Sequence, residues 1–173
     1  MPTLLFFFTV LLYSHRKIIA NKIFGGIKMT QVNEVKETRK LDEVVKFLNE
    51  NPVQYLATVG RDGKAKCRPF MFVLEKDGKL WFCTNNEKDV YKDMMKNPYI
   101  EVTTSSPTFA WIRLHGKAVF ENNFSVKETC MNIALVKNIY QTPDNPIFEV
   151  FYIDEAEAVI ADFSGNPPKN YKL

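Results

Sequence analysis

Two Asp-Gly pairs constrain this chain more than any other feature. Asp62-Gly63 and Asp77-Gly78 each stand between β-rich runs. In that setting Asp-Gly is a strong hairpin signal, because glycine accepts the left-handed backbone that a tight turn needs. The flanking runs are Val53–Val59, Ala65–Glu75 and Leu80–Thr84, so three strands form a meander. Just upstream the period is helical instead. Leu41, Val44, Val45 and Leu48 recur at i, i+3, i+4, i+7 before Asn51-Pro52 ends the pattern.

The alternation of short helices and strands continues downstream. Lys88–Lys96 reads as an amphipathic helix with Val90, Tyr91, Met94 and Met95 inward, stopped by Asn97-Pro98. Tyr99–Thr104 and Trp111–Phe120 read as strands, the second with Gly116 inside it. Ser125 is placed to cap a helix running to Lys137, with Glu128 at the capping-box position. Phe148–Ile153 and Ala158–Phe163 read as a last hairpin joined through Asp154-Glu155-Ala156-Glu157, before a tail rich in Pro and Lys. A mostly antiparallel sheet of six or seven strands with a few short helices implies a closed or partly closed barrel, which limits exposed edges.

Composition excludes several classes. The 173 residues are 46% hydrophobic, with 14 Phe, 7 Tyr and 2 Trp, enough to bury a core and too much for a disordered chain. Cys67, Cys83 and Cys130 are odd in number and lack CxxC spacing, against both a disulfide scaffold and a metal site. The chain therefore reads as a soluble, cytoplasmic domain without a metal. Its formal charge of +3 is local: Arg16, Lys17, Lys22 and Lys28 are the only charged side chains of residues 1–28, and without them the net is −1. That disfavours nucleic acid as a partner.

Residues 1–28 stand apart as an apolar and basic leader. The run Leu4–Tyr13 is half the length a membrane span requires, and it lacks both a preceding positive charge and an Ala-x-Ala site after it. Gly25-Gly26, followed by Ile27-Lys28-Met29, fits a purine-rich ribosome-binding site read through in frame. The expectation is that Met29 is the start and that residues 29–173 form the domain.

Chemistry is sparse along the chain. No triad or carboxylate pair emerges, so no catalytic residue is assigned. His115 is the one histidine after residue 28, on a strand face with Arg113. A lone histidine is most simply an ordinary surface residue, and Trp111 most simply a core filler. A basic cluster is more informative. Lys66 and Arg68 share a face of the second strand beside Pro69, a residue suited to an edge or bulge. Thr84-Asn85-Asn86 then leads into the helix that carries Lys88. A helix N-terminus with Thr, Asn, Lys and Arg nearby suits a phosphate; a capped helix with surface charges would look the same.

At these residues the sequence resembles the pyridoxamine 5′-phosphate oxidase-like family of FMN-binding split β-barrels. The resemblance runs through Tyr55-Leu56-Ala57-Thr58-Val59, Asp62-Gly63, Arg68-Pro69-Phe70, Leu80-Trp81-Phe82-Cys83-Thr84, Lys88, Asn97-Pro98 and Trp111–Ala118, over roughly residues 38 to 165. It implies a six-stranded, Greek-key-type antiparallel split barrel forming a homodimer, with FMN between subunits. It further implies that Arg68, Thr84, Asn86 and Lys88 hold the FMN phosphate. Pro69 lies within that basic segment. The backbone of Phe70, Met71, Phe72 and Val73 would line the isoalloxazine edge, and Trp111 and Arg113 would contact the flavin.

The family's long C-terminal segment with Arg and His is absent, since the chain ends Gly165–Leu173 with neither residue. This departure disfavours oxidation of pyridoxamine phosphate and points to the short, nitroimidazole-resistance-like members. The expected function is an FMN-dependent oxidoreductase acting on a small molecule with a donor such as NAD(P)H, with Tyr55 and His115 on the substrate side. The alternative is a flavin or haem carrier or sensor without turnover, with His115 as a haem ligand. Mass spectrometry of the natural protein is expected to find an N-terminal peptide beginning at Met29; one beginning earlier contradicts that start.

Overall fold

The computed structural model describes residues 40–173; the leader over 1–28 and the start at Met29 lie outside the described residues. The described chain opens with a helix over 40–50 (α1) whose Val44 and Leu48 are fully buried. Eight strands follow. They are β1 (Gln54–Val59), β2 (Ala65–Phe70), β3 (Phe72–Lys76), β4 (Lys79–Asn85), β5 (Tyr99–Ser105), β6 (Trp111–Phe120), β7 (Phe148–Ala161) and β8 (Lys169–Lys172). Three short helices interrupt them: α2 (Asp89–Lys96), α3 (Phe124–Cys130) and α4 (Ala134–Tyr140). The class is mostly antiparallel β with short helices, as expected.

The strand count is corrected from six to eight. The ladder runs β2-β1-β5-β6-β7-β4-β3, with β8 added against β7. The expected second strand, Ala65–Glu75, is two strands separated by the single residue Met71. β2 pairs with β1 and β3 with β4, so the chain leaves one edge of the sheet and joins the other at one residue. No ladder joins β2 to β3, and the sheet is not closed by hydrogen bonds. The eighth strand comes from the tail: Tyr171 is 6% exposed, and its hydroxyl donates to Glu43 Oε2 at 2.6 Å, binding β8 to α1.

The two Asp-Gly turns form as expected. Asp77 and Gly78 both have positive φ, 55° and 76°, the signature of a two-residue hairpin turn whose twist matches its strands. In the first turn only Gly63 is left-handed, at 77°, and its N–H donates to the Gly60 carbonyl.

The last hairpin is corrected to one continuous strand. The acidic stretch inside β7 is a bulge: His115 pairs with Glu157 and Lys117 with Asp154, leaving one extra residue on β7 opposite Gly116. Glu155 takes a positive φ of 50° there. A bulge reverses the alternation of side chains. Phe151 and Ile153 face the core before it, and Ala156 and Ala158 after it. That parity change is what makes one strand look like two in the sequence. The 125–137 helix is also corrected. Asn123, not Ser125, caps α3 by accepting from Val126 N at 3.2 Å, and the helix ends at Cys130 before α4 begins at Ala134.

Two apolar clusters lie on opposite faces of the sheet. The larger, inside the curl, holds Leu56, Phe72, Phe82, Val102, Ile112, Leu114 and Phe151, with α1 and α2 packed on it. Phe82 and Phe151 stack at 5.5 Å within it. The smaller lies between the β4–β7 face and α3–α4 and includes Trp81, Cys130, Tyr140 and Phe148. Among the described residues no helix covers the corresponding outer face of β1 and β5, where Tyr55, Val59 and Tyr99 are exposed.

Gly116 is fixed by the bulge. A Cβ there would lie 2.5 Å from the Asp154 carbonyl oxygen and 2.5 Å from Ile153 Cγ2. Gly116→Ala is expected to cost about 1–3 kcal/mol, the range for forcing an extra methyl into packed structure. Denaturant unfolding checks this; an unchanged midpoint contradicts the bulge packing.

Candidate functional site

The point where β2 leaves β3 generates the candidate site. The β3–β4 register sets Phe72 opposite Phe82. Carried two residues further, it would set Phe70 opposite Thr84, but Phe70 has already turned to pair with Gln54 of β1. The two strands part, with Arg68 on one side of the opening and the end of β4 on the other. Gln54 holds the corner. Fully buried, it donates to the carbonyls of Leu48 and Asn51 at 2.9 and 3.0 Å and accepts from Phe72 N–H. Every polar atom of that side chain is thereby used, as burial requires.

Helix α2 packs at the opening through Val90 and Met94. Its inward set is narrower than the sequence indicated: Met95 is 59% exposed, and Asp93 is buried in its place. The Asp93 carboxylate accepts from the backbone N–H of Arg61 at 3.0 Å and from its Nε at 3.1 Å, while Arg61 Nη2 reaches Asp89. This clamp joins the β1–β2 turn to α2. Between them lies a cavity of about 390 Å³ lined by Arg61, Asp62, Lys66, Arg68, Asp89 and Asp93.

The three cations in that cavity are not equivalent. Arg61 is committed to Asp89 and Asp93, and Lys66 to Asp62 at 3.1 Å. Arg68 is half-buried and holds only neutral acceptors, the Leu56 carbonyl at 3.1 Å and Thr58 Oγ1 at 2.8 Å. It makes no ion pair with a carboxylate among the described residues. A guanidinium anchored through one nitrogen, with no carboxylate bonded to it among the described residues, is suited to receive an anion.

At the other side of the opening, Thr84 is 2% exposed, and its Oγ1 is a buried side-chain polar atom without a hydrogen-bond partner among the described residues. Such an atom costs about 1–3 kcal/mol unless something completes it. Lys88 caps α2 and is exposed, with no side-chain cap bond. The loop before it is shaped by Asn85, whose Oδ1 accepts from the N–H groups of Glu87 and Lys88. Asn86 is occupied elsewhere, donating to the Pro146 carbonyl at 3.0 Å and Glu149 Oε1 at 3.1 Å. In the run 70–73, the Phe72 amide is committed to Gln54 and Phe70 packs on the core. Met71 is the one residue of that run outside a strand.

The other candidate residues lie on the opposite face of the sheet. On β6, Ile112 and Leu114 are buried inside, so Trp111, Arg113 and His115 face outward. Across the ladder, Tyr55, Thr103 and Arg113 form one row, and Ala57, Glu101, His115 and Glu157 the next. The Arg113 guanidinium lies 5.6 Å from the Trp111 ring centre, and His115 Nε2 lies 3.8 Å from Glu157 Oε2. Strand alternation therefore divides the candidates into two sets. Arg68 and Thr58 belong to the inner side, while Tyr55, Pro69, Trp111, Arg113 and His115 belong to the outer.

Sequence reading missed Arg61, Asp93, Gln54 and Thr58. The available signal was Asp93 itself, an acid four residues after Asp89, between the buried Val90 and Met94 of an amphipathic helix. Among the described residues no group of His, Cys, Asp and Glu is arranged to hold a metal. Nor is any helix there long and apolar enough to cross a membrane.

The comparisons agree with this architecture. The family model for pyridoxamine 5′-phosphate oxidase matches residues 41–158. A solved NimC/NimA family protein from Clostridium acetobutylicum is 31% identical, with a TM-score of 0.71, covering 79% of this chain and 94% of that one. General stress protein 26 from Bacillus anthracis is 21% identical with a TM-score of 0.64, covering 77% and 98%. A heme binding protein from Mycobacterium smegmatis is 14% identical with a TM-score of 0.63, covering 77% and 57%. No curated protein matches the chain.

The clamp gives a pH prediction. The Arg61 backbone N–H, and then its guanidinium, hold the Asp93 carboxyl below its ordinary value of 3.8. A carboxyl whose pKa is depressed by folding stabilises the fold above the unfolded value, and that contribution is lost as pH falls through the folded one. Asp93→Asn is therefore expected to melt lower at neutral pH and to lose less further stability below about pH 4 than the parent. Parallel acid profiles for the two proteins contradict this account of the clamp.

Proposed function

The chain belongs to the pyridoxamine 5′-phosphate oxidase family, and from that footing we propose that it binds FMN at the opening beside Met71 and acts as an FMN-dependent oxidoreductase on a small molecule. The observation that carries the reading is the buried, unpartnered Thr84 Oγ1. It lies at the end of the strand that leads to α2, across the opening from Arg68, which has no carboxylate partner among the described residues. A phosphate would complete both groups, and Lys88 adds charge at the helix N-terminus. The donor set therefore fits the group. Asn86 contributes less than the resemblance implied, because its amide is held by Pro146 and Glu149.

Bound FMN would supply hydride acceptance at its N5 and electron transfer to an organic acceptor. The chain's own part is positioning. Arg68 and Lys88 would hold the phosphate, Thr84 would donate to it, and the Asp93–Arg61 clamp would keep α2 against β2. The Phe70, Phe72, Phe82 and Phe151 cluster backs the opening with apolar surface and excludes water. Among the described residues lining the cavity the carboxylates are tied to Arg61 and Lys66, which leaves no free acid–base pair there.

The division of candidates between two faces supports a homodimer. Within one chain Arg68 and Trp111 lie on opposite sides of the sheet, so one flavin meets both sets only if a second copy supplies the outer face. The exposed Tyr55, Val59 and Tyr99 provide apolar surface for that contact. In the dimer Trp111 and Arg113 would contact the flavin and Tyr55 and His115 would stand on the substrate side, with a nicotinamide as electron donor.

The test is visible absorption with an FMN titration. The expected result is a yellow protein bleached by a nicotinamide donor, with affinity reduced roughly tenfold to hundredfold in Arg68→Ala, the scale of a charged hydrogen bond. A Soret band lost in His115→Ala would replace this with the haem reading. A dimer that ignores FMN overturns the cofactor assignment.

A further inference from the structure

His115 lies between two carboxylates that the proposed chemistry does not use. The ladder pairs it with Glu101 of β5 on one side and Glu157 of β7 on the other. Directly opposed residues of neighbouring strands share a face of the sheet, so the three side chains form one row on the outer face. His115 Nε2 lies 3.8 Å from Glu157 Oε2, with the two side chains 46% and 52% exposed. Glu101 is half-buried and makes no hydrogen bond or ion pair among the described residues. The other charges around the row are engaged or stand off it. Lys117 is paired with Glu155 at 2.6 Å, and Asp154 lies opposite Lys117 across the bulge. Arg113, one row away, stands over the Trp111 ring. Lys172 of β8 lies opposite Glu157, at the far end of the row, and β1 brings only Ala57 to it. Glu157 thus has a second cation beside it, whereas the residue directly opposite Glu101 that can carry a positive charge is His115.

We propose that association of two copies through this outer face is pH-responsive, and that protonation of His115 between Glu101 and Glu157 strengthens it. The inference rests on the homodimer reading and adds its regulation. The face is shaped for such a contact. It holds a hollow of about 510 Å³ lined in part by Val59, Tyr99, Glu101, Arg113 and His115, and it carries both signs of charge, as a contact between identical surfaces needs. In the single chain, water screens the carboxylates whatever the state of the imidazole. A second copy seated on the face removes that water, and an unpaired buried carboxylate is costly. A protonated imidazole opposite Glu101 offsets that cost, and a neutral one does not. The dimer therefore takes up protons that the single chain does not hold, and by linkage its association weakens as pH rises. Imidazoles change charge between about pH 5 and 8. The Asp93 clamp responds only below about pH 4, outside that window.

The experiment is sedimentation of the full chain over a concentration series, without added FMN, at several pH values across that window. The expected result is a dimer dissociation constant that rises about tenfold between about pH 5.5 and about pH 8, the scale of one linked proton per chain. His115→Gln should give a flat profile near the parent's value at the alkaline end. Glu101→Gln should associate more tightly than the parent at that end and show a shallower profile. A parent dimer with one dissociation constant at every pH overturns the proposal and leaves the homodimer reading standing. Retention of the parent's slope in His115→Gln does the same. A chain that stays monomeric at every concentration and pH overturns the homodimer reading, and the proposal with it.

Discussion

A single hydrogen-bonded corner sets the shape of this protein. β2 and β3 lie at opposite ends of the hydrogen-bonded path yet are joined by Met71 alone. Two residues of extended chain span at most about 7 Å, so the sheet must curl until its two edges meet. Gln54 fixes the corner by accepting from Phe72 N–H while donating to the carbonyls that end α1. The same curl creates the interior that the phenylalanines fill. It also creates the gap between β2 and β4 that no ladder closes.

That gap is covered by charge as well as by apolar packing. Val90 and Met94 bring α2 onto the core, but the helix is located at the opening by Asp93, which takes two bonds from Arg61. A buried carboxylate is tolerable only when fully paired, and this one is paired to the turn beside the cavity. The arrangement leaves Arg68 uncommitted to any acid among the described residues and Thr84 unsatisfied, two features that a structure built only for stability would avoid. On the other side of the sheet, β1 and β5 expose aromatic and aliphatic side chains with no helix over them among the described residues. On the proposed reading the inner and outer sets take two different partners, an anion and a second apolar surface.

Much of this was legible in the sequence, for identifiable reasons. The Asp-Gly turns, the strands beside them and the stops at Asn51-Pro52 and Asn97-Pro98 are local signals, and they appear where local physics puts them. Pro69 correctly marked an edge strand. The failures are nonlocal. Met71 carries no turn chemistry, so a strand that changes partners there looks uninterrupted. The bulge opposite Gly116 reverses the alternation of β7 and so reads as two strands. Tyr171 gives no sign of a strand until α1 offers Glu43 to its hydroxyl. In the site, Arg68, Thr84 and Lys88 could be named from strand and helix ends. The division of Arg68 from Trp111 and Arg113 could not, because it depends on which face of a curled sheet each strand presents.

The central claim is that the opening beside Met71 recognises a phosphate. Parallel titrations with FMN and riboflavin test it most directly, since the two ligands share the ring and differ in that group. The account predicts that FMN binds at least about a hundredfold more tightly, as expected for two or more charge-assisted hydrogen bonds, and that Thr84→Val and Arg68→Ala narrow the gap. Equal affinities would contradict it, and would mean that whatever completes Thr84 and Arg68 is not a flavin phosphate.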